Sequence, residues 1–374
     1  MLLMPTAAAS ADEGAVYTET NQPTNEIVVL DRKDNGRLQE IQRIATGGMG
    51  HLQNPPFPQD HLDAVNEVEL TENGQLLFAV NAGDNTVSSF KVGPKGKLTL
   101  ADVESTGGDH PDSVDSSHGL LYVLNELDQN GNDITGFRYN DKGKLTPIPN
   151  STRALFSPPG HDNFAGLPSP LASQVIFSPD GKTLTVPERL SNNFQGHLDT
   201  WAIGKDGTPG SVHANDSNAA IPFGLDWDNH RHLIVANGGP PPDFFGSGSS
   251  YSSDGTTLTP ISNVSTGEQG TCWVSVVKDG KYAFMSNQNT ASVSRFRIEE
   301  DGSLTLLGKI ATSGPAADTA LSHDSHFLYV INVLNANGNH GALIDAYRVN
   351  HGNLIHVSTT DSGIPDSASG LAAR

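Results

Sequence analysis

The stretch TENGQLLFAVN, residues 71–81, decides the fold because its plan recurs along the chain. Each copy is a turn followed by an alternating apolar strand, and copies end at Asn81, Asn125, Asn237, Asn287 and Asn332, with a headless copy ending at Asn21. In the copy SPDGKTLTVPE, Glu188 takes the place of the Asn. Seven such units predict a radial array of small β-sheets, since one unit alone cannot bury its apolar face.

Each unit divides into four strands, and the recurring Asn closes the second. One unit reads AVNEVEL (64–70), QLLFAVN (75–81), TVSSFKV (86–92) and LTLADVE (98–104). The first unit lacks its innermost strand, and a spare segment near Ser367 to Ala373 follows the last unit. We therefore predict one all-β domain over residues 14–374, a seven-bladed β-propeller with four antiparallel strands per blade, in which the C-terminal strand completes the first blade and closes the ring.

The composition suits this fold and excludes several classes of partner. The 374 residues include 39 Gly, 23 Pro and 36% hydrophobic residues, which favours short strands and tight turns over long helices. The formal net charge of -20 disfavours nucleic acid and anionic membrane surfaces as partners. No stretch approaches the roughly 20 apolar residues that a membrane span requires. The single cysteine, Cys272, excludes an intramolecular disulfide, and we interpret it as a small buried residue.

Residues 1–13 have the character of a leader. MLLMPTAAASADEG begins with a short apolar run, continues with small residues and ends in acidic sequence, as at the end of a secretory signal peptide, although a basic start is missing. We therefore expect a signal-peptide remnant or an unstructured leader, and a secreted or periplasmic protein.

A ligand site is expected at one mouth of the central channel. Three insertions, Gly47 to Asp63, Arg153 to Leu171 and Gly238 to Asp254, emerge on the same face of such a propeller. The alignment of the units brings the first residues of the inner strands to that mouth, and these are diverse: Glu67, Ser113, Gln174, Phe223, Trp273 and Asp318. This diversity favours a small-molecule ligand, because a purely structural repeat would keep these positions alike.

Glu188 and Arg189 are the first candidates for chemistry. Six copies of the recurring Asn are interpreted as structural, so the one unit that departs from the pattern draws attention to Glu188. If both side chains point into the channel, Glu188 is a general acid or base and Arg189 binds a substrate carboxylate. The alternative is an exposed Glu–Arg pair in a loop.

The histidines do not have the spacing of a metal site. His51, His61, His110 and His161 all lie in loops of the insertion face, and His110 is nearest to an inner strand, which makes it a second catalytic candidate. The segment Asp128 to Asp133 lacks the glycine and the acidic residue of a calcium loop, so we interpret it as a polar hairpin tip. No phosphate-binding glycine loop and no nucleophile elbow is present, so we expect neither a metal nor a cofactor.

Three segments carry a family resemblance: SQVIFSPDGKTLTVPE (173–188), DGKYAFMSNQNTASVSRFRIEEDGSLTLL (279–307) and HFLYVIN (326–332). They resemble the lactonase family of seven-bladed β-propellers, which includes 6-phosphogluconolactonase and 3-carboxymuconate lactonising enzyme. The resemblance implies general acid/base chemistry on a lactone without a cofactor. The family's His-Pro-His, which supplies the proposed general acid or base, is replaced here by Leu171, Ala172 and Ser173. We include Ser173 among the candidate substrate-binding residues.

Three functions therefore remain open. The first is hydrolysis or formation of a lactone of a carboxylated or sugar-like acid, with Glu188 and His110 as catalytic residues and Arg189, Gln174, Ser173, Glu67, Trp273, Asp318 and Phe223 as substrate-binding residues. The second is an exported ligand-binding or scaffold propeller without catalysis. The third is a site rebuilt for isomerisation or cyclisation. Packing of Glu188, Arg189 and a histidine around an open cavity favours an enzyme, whereas a channel closed by Phe223 and Trp273 favours a binding protein. The sequence leaves the oligomeric state open.

Overall fold

The computed structural model describes residues 14–51, 62–126, 132–158, 171–333 and 341–374. The leader expected at residues 1–13 lies outside these ranges, as do His61, His161 and most of the segment interpreted as a hairpin tip.

The described residues form seven antiparallel sheets, which confirms the predicted propeller. The first blade contains β1 (Gly14–Glu19), β2 (Glu26–Arg32) and β3 (Leu38–Ala45), and the second contains β4 (Val68–Leu70), β5 (Leu76–Asn81), β6 (Thr86–Val92) and β7 (Leu98–Ser105). The third blade contains β8 (Pro111–Ser117), β9 (Leu120–Asn125), β10 (Asp133–Tyr139), β11 (Leu145–Pro147) and β12 (Arg153–Ala154). The fourth blade contains β13 (Ile176–Phe177), β14 (Thr183–Glu188), β15 (His197–Ala202) and β16 (His213–Asp216). A single 3-10 turn, Pro94–Gly96, separates β6 from β7.

The remaining blades repeat the plan. They contain β17 (Pro222–Trp227), β18 (His232–Asn237), β19 (Phe245–Asp254) and β20 (Thr257–Gln269); β21 (Thr271–Val276), β22 (Tyr282–Asn287), β23 (Ser292–Ile298) and β24 (Leu304–Ala311); β25 (Ala316–Leu321), β26 (Phe327–Asn332), β27 (Ala342–Asn350) and β28 (Asn353–Ile364). Within the described part of the chain, no helix is long and apolar enough to cross a membrane.

The last strand, β29 (Ser369–Ala373), is the innermost strand of the first blade. It pairs antiparallel with β1, with Ala373 opposite Val16 and Ser369 opposite Glu19. The predicted ring closure is confirmed, and it joins the two ends of the domain through backbone hydrogen bonds so that neither end strand is left as a free edge.

The recurring Asn is a structural residue. The Nδ2 atom of Asn81 donates to the hydroxyls of Thr86 (3.0 Å) and Ser88 (2.8 Å) on the third strand of its blade. Asn287 makes the same pair of bonds to Ser292 (3.0 Å) and Ser294 (2.9 Å). These bonds hold the second and third strands together at the end of the blade where the insertions emerge.

The inner strand of the second blade begins later than the sequence predicts. Strand β4 begins at Val68 rather than at Ala64, although the carbonyl oxygen of Glu67 still accepts the backbone N–H of Val80 on β5 at 3.1 Å. The backbone N–H of Val65 donates to the carbonyl oxygen of Ser173 at 2.8 Å. This bond links the second blade to the fourth, and the carbonyl oxygen of Asn66 accepts the backbone N–H of Val114 in the neighbouring third blade at 2.9 Å.

Two aromatic rings close the channel. The ring centroids of Phe223 and Trp273 are 5.1 Å apart, and both side chains are buried. The indole Nε1 of Trp273 reaches across the channel and donates to the carbonyl oxygen of Ala64 at 2.8 Å. The channel is therefore divided into an upper mouth, where inner strands begin and second strands end, and a lower mouth at the opposite end.

Candidate active site

Four charged side chains meet at the upper mouth. Asp63 precedes β4, Asp112 is at the start of β8, Glu126 follows the last residue of β9, and Arg189 follows the last residue of β14. Three different blades thus supply the group, below termed the upper cluster, because inner strands begin and second strands end at this mouth.

Arg189 is the centre of the upper cluster. Its Nη1 atom lies 2.6 Å from Oδ2 of Asp63, and its Nη2 atom lies 3.4 Å from Oε1 of Glu126. The guanidinium carbon lies 4.8 Å from the centroid of the Phe223 ring, which forms the floor beneath it. The side chain is only 4% exposed, and its Nε–H has no hydrogen-bond partner among the residues that the structure describes. This nitrogen is therefore a buried donor available to a ligand.

Asp112 and Glu126 form a coupled pair of carboxyl groups. Burial raises the pKa of Asp112 well above its ordinary value, and the charge of Glu126 raises it further. Burial also raises the pKa of Glu126 to about 7, although the charge of Arg189 acts in the opposite direction. Because two carboxylates in contact cannot both be charged at low cost, the pair holds one proton near neutral pH.

The upper cluster has no excess of positive charge. Burial alone would lower the pKa of Arg189, but the charges of Asp63 and Glu126 outweigh burial and raise it, so the guanidinium stays charged. Burial raises the pKa of Asp63, whereas the neighbouring guanidinium lowers it. Since Arg189 is already paired with two carboxyl groups, an anionic substituent of a substrate would meet no unpaired cation within this cluster.

Glu188 does not join Arg189. Its Oε1 atom accepts a hydrogen bond of 2.8 Å from the backbone N–H of Ser157, its Oε2 atom accepts one from the hydroxyl of the same residue, and His197 Nδ1 lies 3.8 Å from Oε2. Consecutive residues at the end of a strand point to opposite sides, so Glu188 enters the space between blades while Arg189 enters the channel. The expected arrangement of the two side chains in one cavity is therefore corrected by the structure. Glu188 is buried, so the exposed loop pair is not observed either.

His110 lies near the upper cluster, but its ring contacts another histidine. The ring centroids of His51 and His110 are 4.6 Å apart in an edge-to-face arrangement. Burial, reinforced by His51, lowers the pKa of His110 to about 4, so its imidazole is neutral at pH 7. The backbone carbonyl oxygen of His110 accepts the backbone N–H of Glu126 at 3.0 Å. This bond holds the backbone of Glu126 in place.

The other predicted substrate-binding residues divide by role. Phe223 touches Arg189, while Trp273 packs behind Phe223 and spans the channel. Ser173 donates to the carbonyl oxygen of Phe223 at 2.8 Å, and the Gln174 amide exchanges two hydrogen bonds with the backbone of Leu225, so both hold inner strands together.

Glu67, directly before β4, and Asp318, on β25, are buried, with 1% and 4% exposure. The structure places neither of them in the upper cluster. Their roles as substrate-binding residues stay predictions.

Sequence reasoning missed Asp63, Asp112 and Glu126. A signal for Glu126 was present: it follows the recurring Asn125, just as Arg189 follows Glu188. The residue after the recurring Asn points into the channel at the upper mouth, and a comparison of that position across the copies would have found both. Asp63 and Asp112 carry no such pattern and are recognised only by their contacts with Arg189 and Glu126.

Cavities lined by described residues lie on both sides of the channel closure. The lower mouth holds a cavity of about 550 Å³ whose lining includes Glu69, Asp115, Asp226 and Arg374. A smaller cavity of about 80 Å³ adjoins the upper cluster and shares Asp63 and Arg189 with it. Cys272 is partly exposed and lines the smaller cavity rather than a sealed core, which corrects its interpretation as a fully buried residue. Across the described ranges, no three His, Cys, Asp or Glu side chains are grouped as metal ligands.

Comparison with known proteins identifies the class. Residues 10–154 and 246–331 match the sequence profile of the family described as lactonase, 7-bladed beta-propeller. The match covers more than half of the chain, so the chain belongs to this family.

Individual relatives are distant. The chain is 23% identical over 203 residues to the 6-phosphogluconolactonase of Yersinia pseudotuberculosis serotype O:3 (strain YPIII), a match to 53% of this chain and 56% of that protein. It therefore spans about half the length of the curated relatives it matches.

Solved structures share the fold over nearly the whole chain. A proposed 6-phosphogluconolactonase of Bacteroides fragilis superposes with a TM-score of 0.73 and 17% identity, covering 98% of this chain and 99% of that one. The periplasmic gluconolactonase of Pseudomonas aeruginosa superposes with a TM-score of 0.69 and 16% identity, covering 96% and 98%. At such identities the likeness establishes the fold alone.

Proposed function

We propose that this protein hydrolyses a neutral, hydroxyl-rich lactone at the upper mouth of its channel. The observation that carries the proposal is the buried Arg189, whose Nε–H is unpaired within the described ranges, beside the proton-sharing pair of Asp112 and Glu126. Membership of the lactonase family supports it, and the names of the Yersinia and Pseudomonas relatives point to sugar lactones.

The charge of the upper cluster selects against anionic substrates. Arg189 is paired with Asp63 and Glu126, so a carboxylated or phosphorylated lactone would bring a further negative charge to a site without a free cation. A neutral lactone avoids this repulsion, and its hydroxyls can donate to the buried carboxylate oxygens. We therefore narrow the sequence-based expectation, a lactone of a carboxylated or sugar-like acid, to a neutral aldonolactone.

The proposed reaction needs only a water molecule and the cluster. The water oxygen attacks the lactone carbonyl carbon while one water proton passes to the Glu126 carboxylate. Negative charge develops on the carbonyl oxygen, and the Nε–H of Arg189 donates to it. As the ring C–O bond breaks, the proton on Glu126 passes to the ring oxygen and leaves an open-chain hydroxy acid. Asp112, whose pKa is raised by burial and by the charge of Glu126, stays protonated and adds no further negative charge beside Glu126.

In this assignment Glu126 takes the acid/base role first expected for Glu188. Glu126 lies beside Arg189, whereas the contacts of Glu188 are Ser157 and His197. The pKa of Glu126, about 7, is close to the value at which a carboxyl group both accepts and releases a proton near neutral pH.

The test is hydrolysis of D-glucono-δ-lactone followed by pH-stat, beside the same lactone phosphorylated on its exocyclic oxygen. We expect enzymatic turnover of the neutral lactone, and a kcat/KM at least about 10-fold lower for the phosphorylated one. No acceleration over the spontaneous rate with correctly folded protein contradicts the proposal. Faster turnover of the phosphorylated lactone contradicts the charge argument.

A second function is favoured by one specific observation. The closure of the channel by Phe223 and Trp273 is the arrangement expected of a ligand-binding propeller without catalysis. In that case the upper cluster binds a polyol, and calorimetry with the lactone's open-chain acid and its parent sugar would show binding while the pH-stat shows no turnover.

A further inference from the structure

A small cavity, below termed the side pocket, opens beside Arg189 on the side of the fifth and sixth blades. It has a volume of about 80 Å³. Its walls are largely apolar and include Phe194, Ile221, Phe223 and Phe244. The side pocket shares Asp63 and Arg189 with the upper cluster, so a molecule held by the cluster can extend a substituent into it.

One polar side chain in the side pocket has an unused donor. Gln288 is 7% exposed, and its Nε2 atom has no hydrogen-bond partner within the described part of the chain. The backbone around it is held firmly, because its N–H donates to the carbonyl oxygen of Gly270 at 2.8 Å. A buried amide nitrogen without a partner costs free energy unless a ligand supplies an acceptor.

The same repeat position supplies three walls of the site. Arg189, Gly238 and Gln288 each follow the residue that closes the second strand of their blade. Gly238 leaves room that a side chain would occupy, since a Cβ atom there would lie 3.2 Å from Cγ2 of Ile221 and 3.7 Å from Sγ of Cys272. The pocket therefore results from different residues at one repeat position: the large Arg189, the small Gly238 and the polar Gln288.

The volume and the lining define what fits. A cavity of roughly 150 Å³ holds a benzene ring, so the side pocket accepts a short substituent and not a second ring. The apolar walls favour a carbon atom, and the unpartnered amide nitrogen of Gln288 favours one oxygen acceptor. A hydroxymethyl group, with one carbon and one oxygen, matches both requirements.

We propose that the side pocket binds the exocyclic hydroxymethyl group of an aldonolactone, with Nε2 of Gln288 donating to its hydroxyl oxygen. This assignment rests on the proposed function, and it adds the part of the substrate that the protein distinguishes. A phosphate on the same oxygen would not fit, since Arg189 is the one cation among the described lining residues and is already paired. Gln288 is in this scheme a specificity-determining residue that takes no part in the proton transfers.

Binding of two lactams tests the assignment without any need for turnover. D-glucono-δ-lactam carries the hydroxymethyl group, D-xylono-δ-lactam lacks it, and neither is readily hydrolysed. By titration calorimetry we expect the first to bind the wild-type protein about 10-fold more tightly than the second, as is typical of one satisfied buried hydrogen bond. Equal affinities, or no binding of either lactam, would overturn the assignment.

Two variants locate the discrimination. Gln288→Met keeps the length of the side chain and removes the donor, and Gly238→Ala narrows the pocket without touching the amide. Each should reduce the preference for D-glucono-δ-lactam to about twofold or less while the affinity for D-xylono-δ-lactam stays unchanged. The matched control is Gln39→Met, because Gln39 is exposed on β3. An equal loss for both lactams in the two pocket variants contradicts the assignment.

The outcomes separate this inference from the proposed function. Discriminating lactam binding without lactone turnover refutes the hydrolytic function and leaves the pocket assignment standing. Lactone turnover without discrimination between the lactams leaves the hydrolytic function standing and refutes the pocket assignment. If Gln288→Met lowers the melting temperature strongly, the result for Gly238→Ala decides.

Discussion

The two mouths of the channel are both rich in buried carboxyl groups, but they use them differently. At the lower mouth, Asp226 accepts backbone N–H groups from Val276 and Trp227, both at 2.7 Å. At the upper mouth, the carboxyl groups of Asp63 and Glu126 bind the guanidinium of Arg189, and Asp112 interacts with Glu126. Acidic residues around a channel are therefore not in themselves a site, because their bonding decides whether they hold strands or remain available to a ligand.

The lower mouth has the larger cavity, although we place the proposed site at the upper mouth. The lower cavity is about 550 Å³ and the upper side pocket about 80 Å³. In the lower cavity Asp115 accepts the backbone N–H of Phe177 at 2.5 Å and of Ser116 at 2.7 Å, so both of its oxygens are used. We place the proposed site at the smaller cavity because Arg189 and Gln288, which line it, have donors without partners within the described structure.

The largest effect is expected for Arg189→Met. Removing one partner of a buried ion pair leaves the charges of Asp63 and Glu126 uncompensated, so the free energy of unfolding should fall by about 3–5 kcal/mol. The loss of the donor to the carbonyl oxygen should lower kcat by about 100-fold to 1000-fold. Urea unfolding and pH-stat assays measure the two effects. If the Arg189→Met variant were active, the assignment of the site to the upper mouth rather than the lower mouth would be contradicted.

The control for Arg189→Met is Arg374→Met at the lower mouth. Arg374 lines the lower cavity and is remote from the upper cluster. Turnover should remain at the wild-type rate, because the channel closure separates this arginine from the substrate.

The next effect is expected for Glu126→Gln. An amide cannot take up the water proton, so kcat should fall by about 100-fold to 10,000-fold while D-glucono-δ-lactam still binds. In the wild type, kcat/KM should rise with pH through an apparent pKa of about 7, as Glu126 loses its proton, and this step should vanish in the variant. A pH–rate profile with the step unchanged in Glu126→Gln would assign the base to another group.

A smaller effect concerns stability, and it belongs to the lower mouth. Burial raises the pKa of Asp115 to about 7 and that of Asp226 to about 6. A raised pKa means that the folded state binds the proton more tightly than the unfolded state does. The stability that each proton contributes is therefore complete below the unfolded-state pKa of about 4. It is lost as the pH rises through the folded-state pKa values of about 6 to 7. Each group contributes a slope of up to about 1.4 kcal/mol per pH unit.

Urea unfolding between about pH 4 and about pH 8 measures this slope. Asp115→Asn should make the decline of unfolding free energy with pH shallower and leave lactone turnover unchanged, because Asp115 bonds to backbone groups of β8 and β13. Stability that increases over this pH range, or a loss of turnover in the variant, would contradict the separation of the two mouths.

The smallest effect is expected for Glu188→Gln. A glutamine oxygen can still accept the backbone N–H of Ser157, and Glu188 has no contact with Arg189, so turnover should change by about twofold or less. This variant tests the sequence-based assignment directly against the structural one. If Glu188→Gln were as inactive as Glu126→Gln, the catalytic carboxylate would lie between the blades and not in the channel.

The repeat made the fold predictable and left the site mostly hidden. Alternating apolar residues, turn residues and the recurring Asn are local signals, so seven blades, their strands and the closure by Ser369–Ala373 followed from the sequence. The break at Glu188 drew attention to both Glu188 and Arg189, but local sequence does not reveal which of the two side chains faces the channel. Arg189 and Phe223 were recognised as candidates, and the structure brings them together.

The position after the recurring Asn offers a more general lesson. Glu126, Gly238 and Gln288 occupy it in successive blades, together with Arg189 in the copy that ends in Glu188. Apart from Arg189, none of these residues stood out in its own copy. Their common register becomes meaningful only when the ring brings the ends of the second strands to one mouth.

The sequence by itself determined the architecture of this protein, since the pattern within each blade is set by nearest neighbours along the chain. The tertiary structure alone decided that Asp63, Asp112, Glu126 and Arg189 form one cluster, because residues separated by up to 126 positions meet only after the ring closes. It also decided the charge of that cluster. The pKa of Glu126 depends on burial and on Arg189, and both are properties of the closed channel rather than of any segment.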